Sequence, residues 1–165
     1  MSAFIDVCNQ INDFIQSDAV KAALDEVYPH PWKSAVAYEL NEGIANTPKN
    51  LKVSIMPGAM QRTENVRITM ANEYRVGVHL RKLVSLDEIP ELSDFTQELI
   101  LRLNSFNDVV RSLNSGRYAK PILQKIEMTG IYADTAMDAF RAFDCLILMT
   151  FQIDLIKERY RKNVQ

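Results

Sequence analysis

Few residues in this chain are equipped for acid–base, metal or nucleophilic chemistry, and their spacing suits none of these. The two histidines, His30 and His79, fall in different elements, with no second histidine four residues on and no cysteine pair nearby. Zinc needs three or four such ligands at defined spacing. The phosphate-cradling pattern G-x-x-x-x-G-K-[ST], the dinucleotide pattern G-x-G-x-x-G and the nucleophile elbow G-x-S-x-G do not occur. Cys8 and Cys145 each sit in phase with apolar neighbours and read as reduced, buried, inert thiols. Two cysteines do not make the disulfide framework of a small secreted domain. The adjacent carboxylates Asp25/Glu26 and Asp87/Glu88 lie at helix ends, where the helix dipole and solubility account for them. The expectation is no enzyme, with no catalytic, cofactor or metal site.

The best charged constellation is a row of alternate residues, Arg67, Arg75, His79 and Arg81. Alternation reports a half-buried strand, so these four share one face. A solvated sheet face explains them, and so does an interface with a protein partner. A single-strand nucleic-acid platform would interleave aromatic residues on that face, and none are present. The net charge of −2 also lacks the basic excess of a dedicated nucleic-acid binder. Met56, Met60 and Met70 cluster nearby. Met56 and Met70 read as core filling, and Met60 as a loop contact.

The element carrying this row runs from Glu64 to Leu83. Val66, Ile68, Met70, Asn72, Tyr74, Val76, Val78 and Leu80 mark its apolar side. It reads as a single bent strand with a bulge near Asn72, although a hairpin through 71–73 also keeps the faces consistent. One strand of that length would exceed roughly 50 Å, so one end should project. Before it, Leu51–Met56 reads as a strand stopped by Pro57-Gly58, and 58–63 as a loop whose removal should spare folding.

The flanking elements follow from periodicity. Residues 2–27 form an N-terminal helical segment, a helix over 2–17 capped by Ser2 and a short second one over 19–27. Tyr28-Pro-His-Pro-Trp32 is an extended connector whose Trp32 folds back onto the core. Residues 33–40 form a strand. The capping-box pattern Ser85…Glu88 opens a helix over 85–114, with a break near Asn104-Ser105 and a stop at Gly116. Pro121–Thr129 is a strand ended by Gly130, and Asp134 caps a short helix. Ala142–Ile153 is a central strand covered on both faces. Residues 154–165 are a charged tail. At 165 residues the chain reads as a single domain, with 33–83 bearing the projecting arm and 121–153 the C-terminal strands. No basic leader opens it and no apolar run spans a membrane.

The order of these elements resembles a known family. It is carried by the Ala37-Tyr38 strand, Val53-Ser-Ile-Met-Pro57, the loop with Arg62, Thr63 and Glu64, Tyr74-Arg-Val-Gly-Val-His-Leu-Arg-Lys82, the acidic entry to the long helix, and Leu146-Ile-Leu-Met-Thr-Phe151. The chain resembles tailed-bacteriophage head–tail junction proteins, most of all tail terminator and tail completion proteins. That resemblance implies an α+β fold: an antiparallel sheet of four to five strands with helices packed on it. It also implies a non-catalytic virion protein forming a homo-oligomeric ring, commonly a hexamer. Its partners would be the tail tube protein and the head–tail connector, with DNA passing through unread and no membrane involved. Assembly would take place in the host cytoplasm, and no cofactor is implied. The contact residues expected from the sequence are Gly58, Ala59, Met60, Gln61, Arg62 and Thr63, with Arg67, Arg75, His79 and Arg81. A stopper or other neck protein fits the same pattern, and a small enzyme or nucleic-acid module stays open.

Overall fold

The computed structural model describes residues 2–38, 47–62, 72–135 and 141–153. It is an α+β fold with three α-helices among the described residues, α1 (Ala3–Ile15), α2 (Asp18–Val27) and α3 (Ile89–Leu103). Five strands form one sheet: β1 (Trp32–Val36), β2 (Leu51–Arg62), β3 (Asn72–Val84), β4 (Ile122–Thr135) and β5 (Arg141–Ile153). Their order is β1-β2-β3-β5-β4. All neighbours are antiparallel except β1 and β2, which are parallel.

The sheet forms because alternate residues of its central strands are apolar. Tyr74, Val76, Val78 and Leu80 of β3 and Phe143, Cys145, Ile147, Met149 and Phe151 of β5 are all buried on one face. The helices cover that face. α1 presents Val7, Cys8, Ile11 and Ile15, and α3 presents Leu92, Phe95, Leu99 and Leu103. Each such side chain stabilises the fold by about 1.5–3 kcal/mol when fully buried. Ser2 caps α1 by accepting from Phe4 N–H, and Ser85 with Glu88 forms a capping box ahead of α3. Trp32 packs edge-on against Phe95 and donates to Asp25, so it does fold back.

Several boundaries differ from the sequence reading, for related reasons. β2 does not stop at Pro57-Gly58; it continues to Arg62, paired with β3 through a bulge between Pro57 and Met60. Pro57 is tolerated because β1 pairs with β2 only as far as Ile55, leaving no strand to receive the missing N–H. Gly58–Arg62 is therefore strand, not loop. In the described residues β3 begins at Asn72, opposite Arg62, so β2 and β3 form a hairpin; Thr63 to Ala71 lie outside the described residues. Gly130 likewise lies at a bulge, between Met128 and Ile131, and does not end β4. Asp134 belongs to that strand, and residues 136–140, where the short helix was expected, lie outside the described residues. α3 ends at Leu103, by the expected break; Phe106, Val110 and Leu113 are buried from a 3-10 turn and irregular chain. β5 is central, but only one face is buried under helices, and Leu146 and Leu148 on the other stay half-exposed.

Candidate functional site

The face free of the described helices, called helix-free below, is where the sequence placed its charged row. Because the helices bury Tyr74, Val76, Val78 and Leu80, the alternate residues Arg75, Gly77, His79 and Arg81 point away from them. The structure thus brings three of the expected contact residues onto one face. Arg67 and Thr63 lie outside the described residues. Gly58 occupies the β2 bulge, and Ala59, Met60, Gln61 and Arg62 follow it along the strand.

His79 and Arg81 are engaged within the chain. His79 Nε2 lies 2.7 Å from Asp144 Oδ1 on β5, and Arg81 Nη1 is 3.9 Å from the same oxygen. Arg81 also donates to Thr47 Oγ1 at 3.3 Å. Sequence reasoning overlooked Asp144. Its signal is a lone carboxylate in an apolar strand, in phase with Leu146 and Leu148.

Ser54 stands opposite His79 on β2, so a serine, a histidine and an aspartate sit on three adjacent strands. The arrangement does not meet the needs of a nucleophilic triad. Among the described residues Ser54 makes no hydrogen bond to His79, whose Nε2 faces Asp144. A working triad needs the base bonded to the nucleophile and donors placed for the oxyanion. Here the carboxylate is shared with an arginine, as in a structural ion cluster.

The middle of the face is apolar. A Cβ on Gly77 would come within 3.2 Å of Leu146 Cδ1 and 3.3 Å of Met56 Cε. The two side chains therefore reach across the glycine, and Met56 is half-exposed here instead of filling the core. Farther out, the Lys125–Glu127 pair stands at 2.6 Å. Its hydrogen bond and charge hold the Glu127 carboxyl below its ordinary range, with Arg75 adding a smaller pull.

Elsewhere, the clefts among the described residues include two. One, of about 550 Å³, is lined by Asp6, Gln10, Arg111, Ser112, Ser115, Gly116 and Lys120. Asp6 accepts from Asn114 N–H at 2.7 Å and Gln10 from Arg111 N–H at 2.7 Å, so α1 clamps the chain leading to β4. That chain holds three successive residues with positive φ: Asn114, Ser115 and Gly116. The other, of about 160 Å³, lies beside Tyr28, His30, Lys82, Glu88 and Glu91. Four of its ionisable groups pair off, His30 with Glu91 at 2.8 Å and Lys82 with Glu88 at 3.2 Å, and Lys49 lines it as well. Burial, followed by the charges of Glu88 and Glu91, pushes the Tyr28 phenol up to about 12.

Burial also pushes both thiols, Cys8 and Cys145, up to about 11, which suits inert core cysteines. Among the described residues no three metal-ligating side chains gather, and no helix is long and apolar enough to cross a membrane.

No family model matches the chain, and no curated protein matches it. Among solved structures, a chain described as "Virion of native gene transfer agent (GTA) particle" superposes with a TM-score of 0.39 at 11% identity, covering 92% of this chain and 98% of that one. A superposition of that quality does not define a shared function.

Proposed function

We propose that this chain is a non-catalytic virion structural protein that forms a homo-oligomeric ring at a phage head–tail junction. As a tail terminator it would cap the tail tube and join it to the connector, with DNA passing through the ring. The observation that carries this reading is the half-covered sheet. Helices bury one face, while the other joins an apolar centre of Met56, Leu146 and Leu148 to flanking charges and holds no assembled catalytic group among the described residues. Half-exposed apolar side chains rimmed by charge fit a protein–protein contact. The resemblance of its residue pattern to terminator proteins supplies the setting.

Electron microscopy of the purified protein, alone and with tail tubes, tests the reading. Rings, or rings seated on tube ends, are expected. A protein that stays monomeric and ignores both tube and connector refutes it.

A further inference from the structure

We propose that copies of this chain join edge to edge, β4 of one against β1 of the next, so that one sheet continues around the assembly. This rests on the ring reading above and names its contact.

The sheet ends in β1 on one side and β4 on the other, and no described strand pairs with the far edge of either. Side chains meet these edges at one residue each: Gln16 Nε2 donates to the Ser34 carbonyl at 3.0 Å, and Asn107 bonds the N–H and carbonyl of Leu123, ahead of the first β4 bulge. Such an edge offers a row of backbone donors and acceptors to another strand. The two edges are close in length, five residues against four. β1 has five residues. β4 has 14 but is bulged between Leu123 and Lys125 and again between Met128 and Ile131. A bulge bends a strand and interrupts pairing, so Lys125–Met128 is the straight stretch between the two bulges.

Strand direction fits as well. β1, β2 and β5 run one way, and β3 and β4 the other. Rotation about a ring axis preserves direction along that axis, so β4 would meet the next β1 antiparallel. Two unlike edges make a heterologous contact, the kind that closes into rings.

Charge then selects the register. Glu127 stands opposite Leu148 on the helix-free face. Lys33 is on the same face, because Trp32, Ser34 and Val36 alternate with it and Ser34 is bonded to Asn12 and Gln16 of α1. Setting Lys33 against Glu127 places Ala35 against Lys125 on that face. It places Trp32, only partly covered, against Met128, which is 45% exposed, on the other. Glu127 would then sit between two lysines, and an exposed methionine would gain an aromatic neighbour. Opposite charges directly across a strand pair favour it, and like charges oppose it.

The test uses the full chain. Lys33→Glu and Glu127→Lys reverse the facing charges singly and together, at exposed positions outside the core. By native mass spectrometry and sedimentation, each single reversal should weaken ring formation about tenfold and the double reversal should restore it. In a second arm, Ala35→Cys with Lys125→Cys should oxidise to a ladder of covalent oligomers ending at the ring size. The native cysteines are buried and stay out of the reaction. Rings that form equally well in all three charge variants, without a link between positions 35 and 125, overturn the edge contact and leave the ring reading standing. So does a ladder that stops at a dimer. A wild-type chain that never forms rings, even with tail tubes present, removes both.

Discussion

Replacing Gly58 with alanine should damage this fold far more than replacing Gly77, although both glycines lie in the same hairpin. An added Cβ at Gly58 would stand 1.9 Å from the Arg75 carbonyl oxygen and 2.9 Å from its carbon. Those are backbone atoms of the paired strand, so relief requires β2 and β3 to separate at the bulge. Overpacking of this kind costs about 1–3 kcal/mol. Losing one or two ladder bonds adds about 0.5–1.5 kcal/mol each. A total near 3 kcal/mol should lower Tm by about 6–12 °C for a chain of this size. At Gly77 the nearest atoms are the flexible tips of Leu146 and Met56, at 3.2 and 3.3 Å, which can turn aside. Gly77→Ala should therefore change stability by less than about 1 kcal/mol. Urea and thermal unfolding of the two variants decide it. If Gly58→Ala melts within 2 °C of the wild type, or the two glycines rank the other way, the bulge is not held as described.

Three further outcomes follow from the structure. Asp144→Ala removes the carboxylate shared by His79 and Arg81, whose side chains are 13% exposed, and should cost about 1–3 kcal/mol in urea unfolding. Asp6→Ala frees Asn114 N–H and should cost about 1 kcal/mol, with faster amide exchange concentrated in residues 111–118. Cys8 and Cys145 should resist a thiol reagent in the native protein and react once it is unfolded. Both thiols are raised from 9.0 to about 11, so the native state holds protons that the unfolded state releases; stability should be complete below pH 9 and decline as pH rises towards 11, followed by circular dichroism.

How legible the fold was in the sequence depended on whether a feature was set by one strand or by two. The two faces of β3 follow from parity alone, and the structure buries Tyr74, Val76, Val78 and Leu80 as the alternation requires. The break of α3 near Asn104 was equally local. Gly58 and Gly130 were misread because turns and bulges ask the same thing of a residue, a small side chain. Only the partner strand decides between them, and Arg75 and Cys145, which flank the two bulges from across the sheet, lie 17 and 15 residues away. The charged row was legible as a face. Its neutralisation by Asp144 was not, because that carboxylate arrives from β5. The clamp of Asp6 and Gln10 on residues 111–114 spans more than 100 positions, and nothing local announces it.

The strand order also bears on how the protein is made. β5 lies between β3 and β4, yet it is synthesised after both. Until it emerges, β3 has a partner on one side only and β4 has none. The 56 residues separating Val84 from Arg141 take about 3–11 s to translate at typical rates. During that interval the nascent chain carries an open β3 edge that any extended polypeptide could occupy. A ribosome stalled before residue 141 would hold no smaller version of this sheet, only a three-stranded piece and a stray strand. The step that locks the sheet is the insertion of its middle.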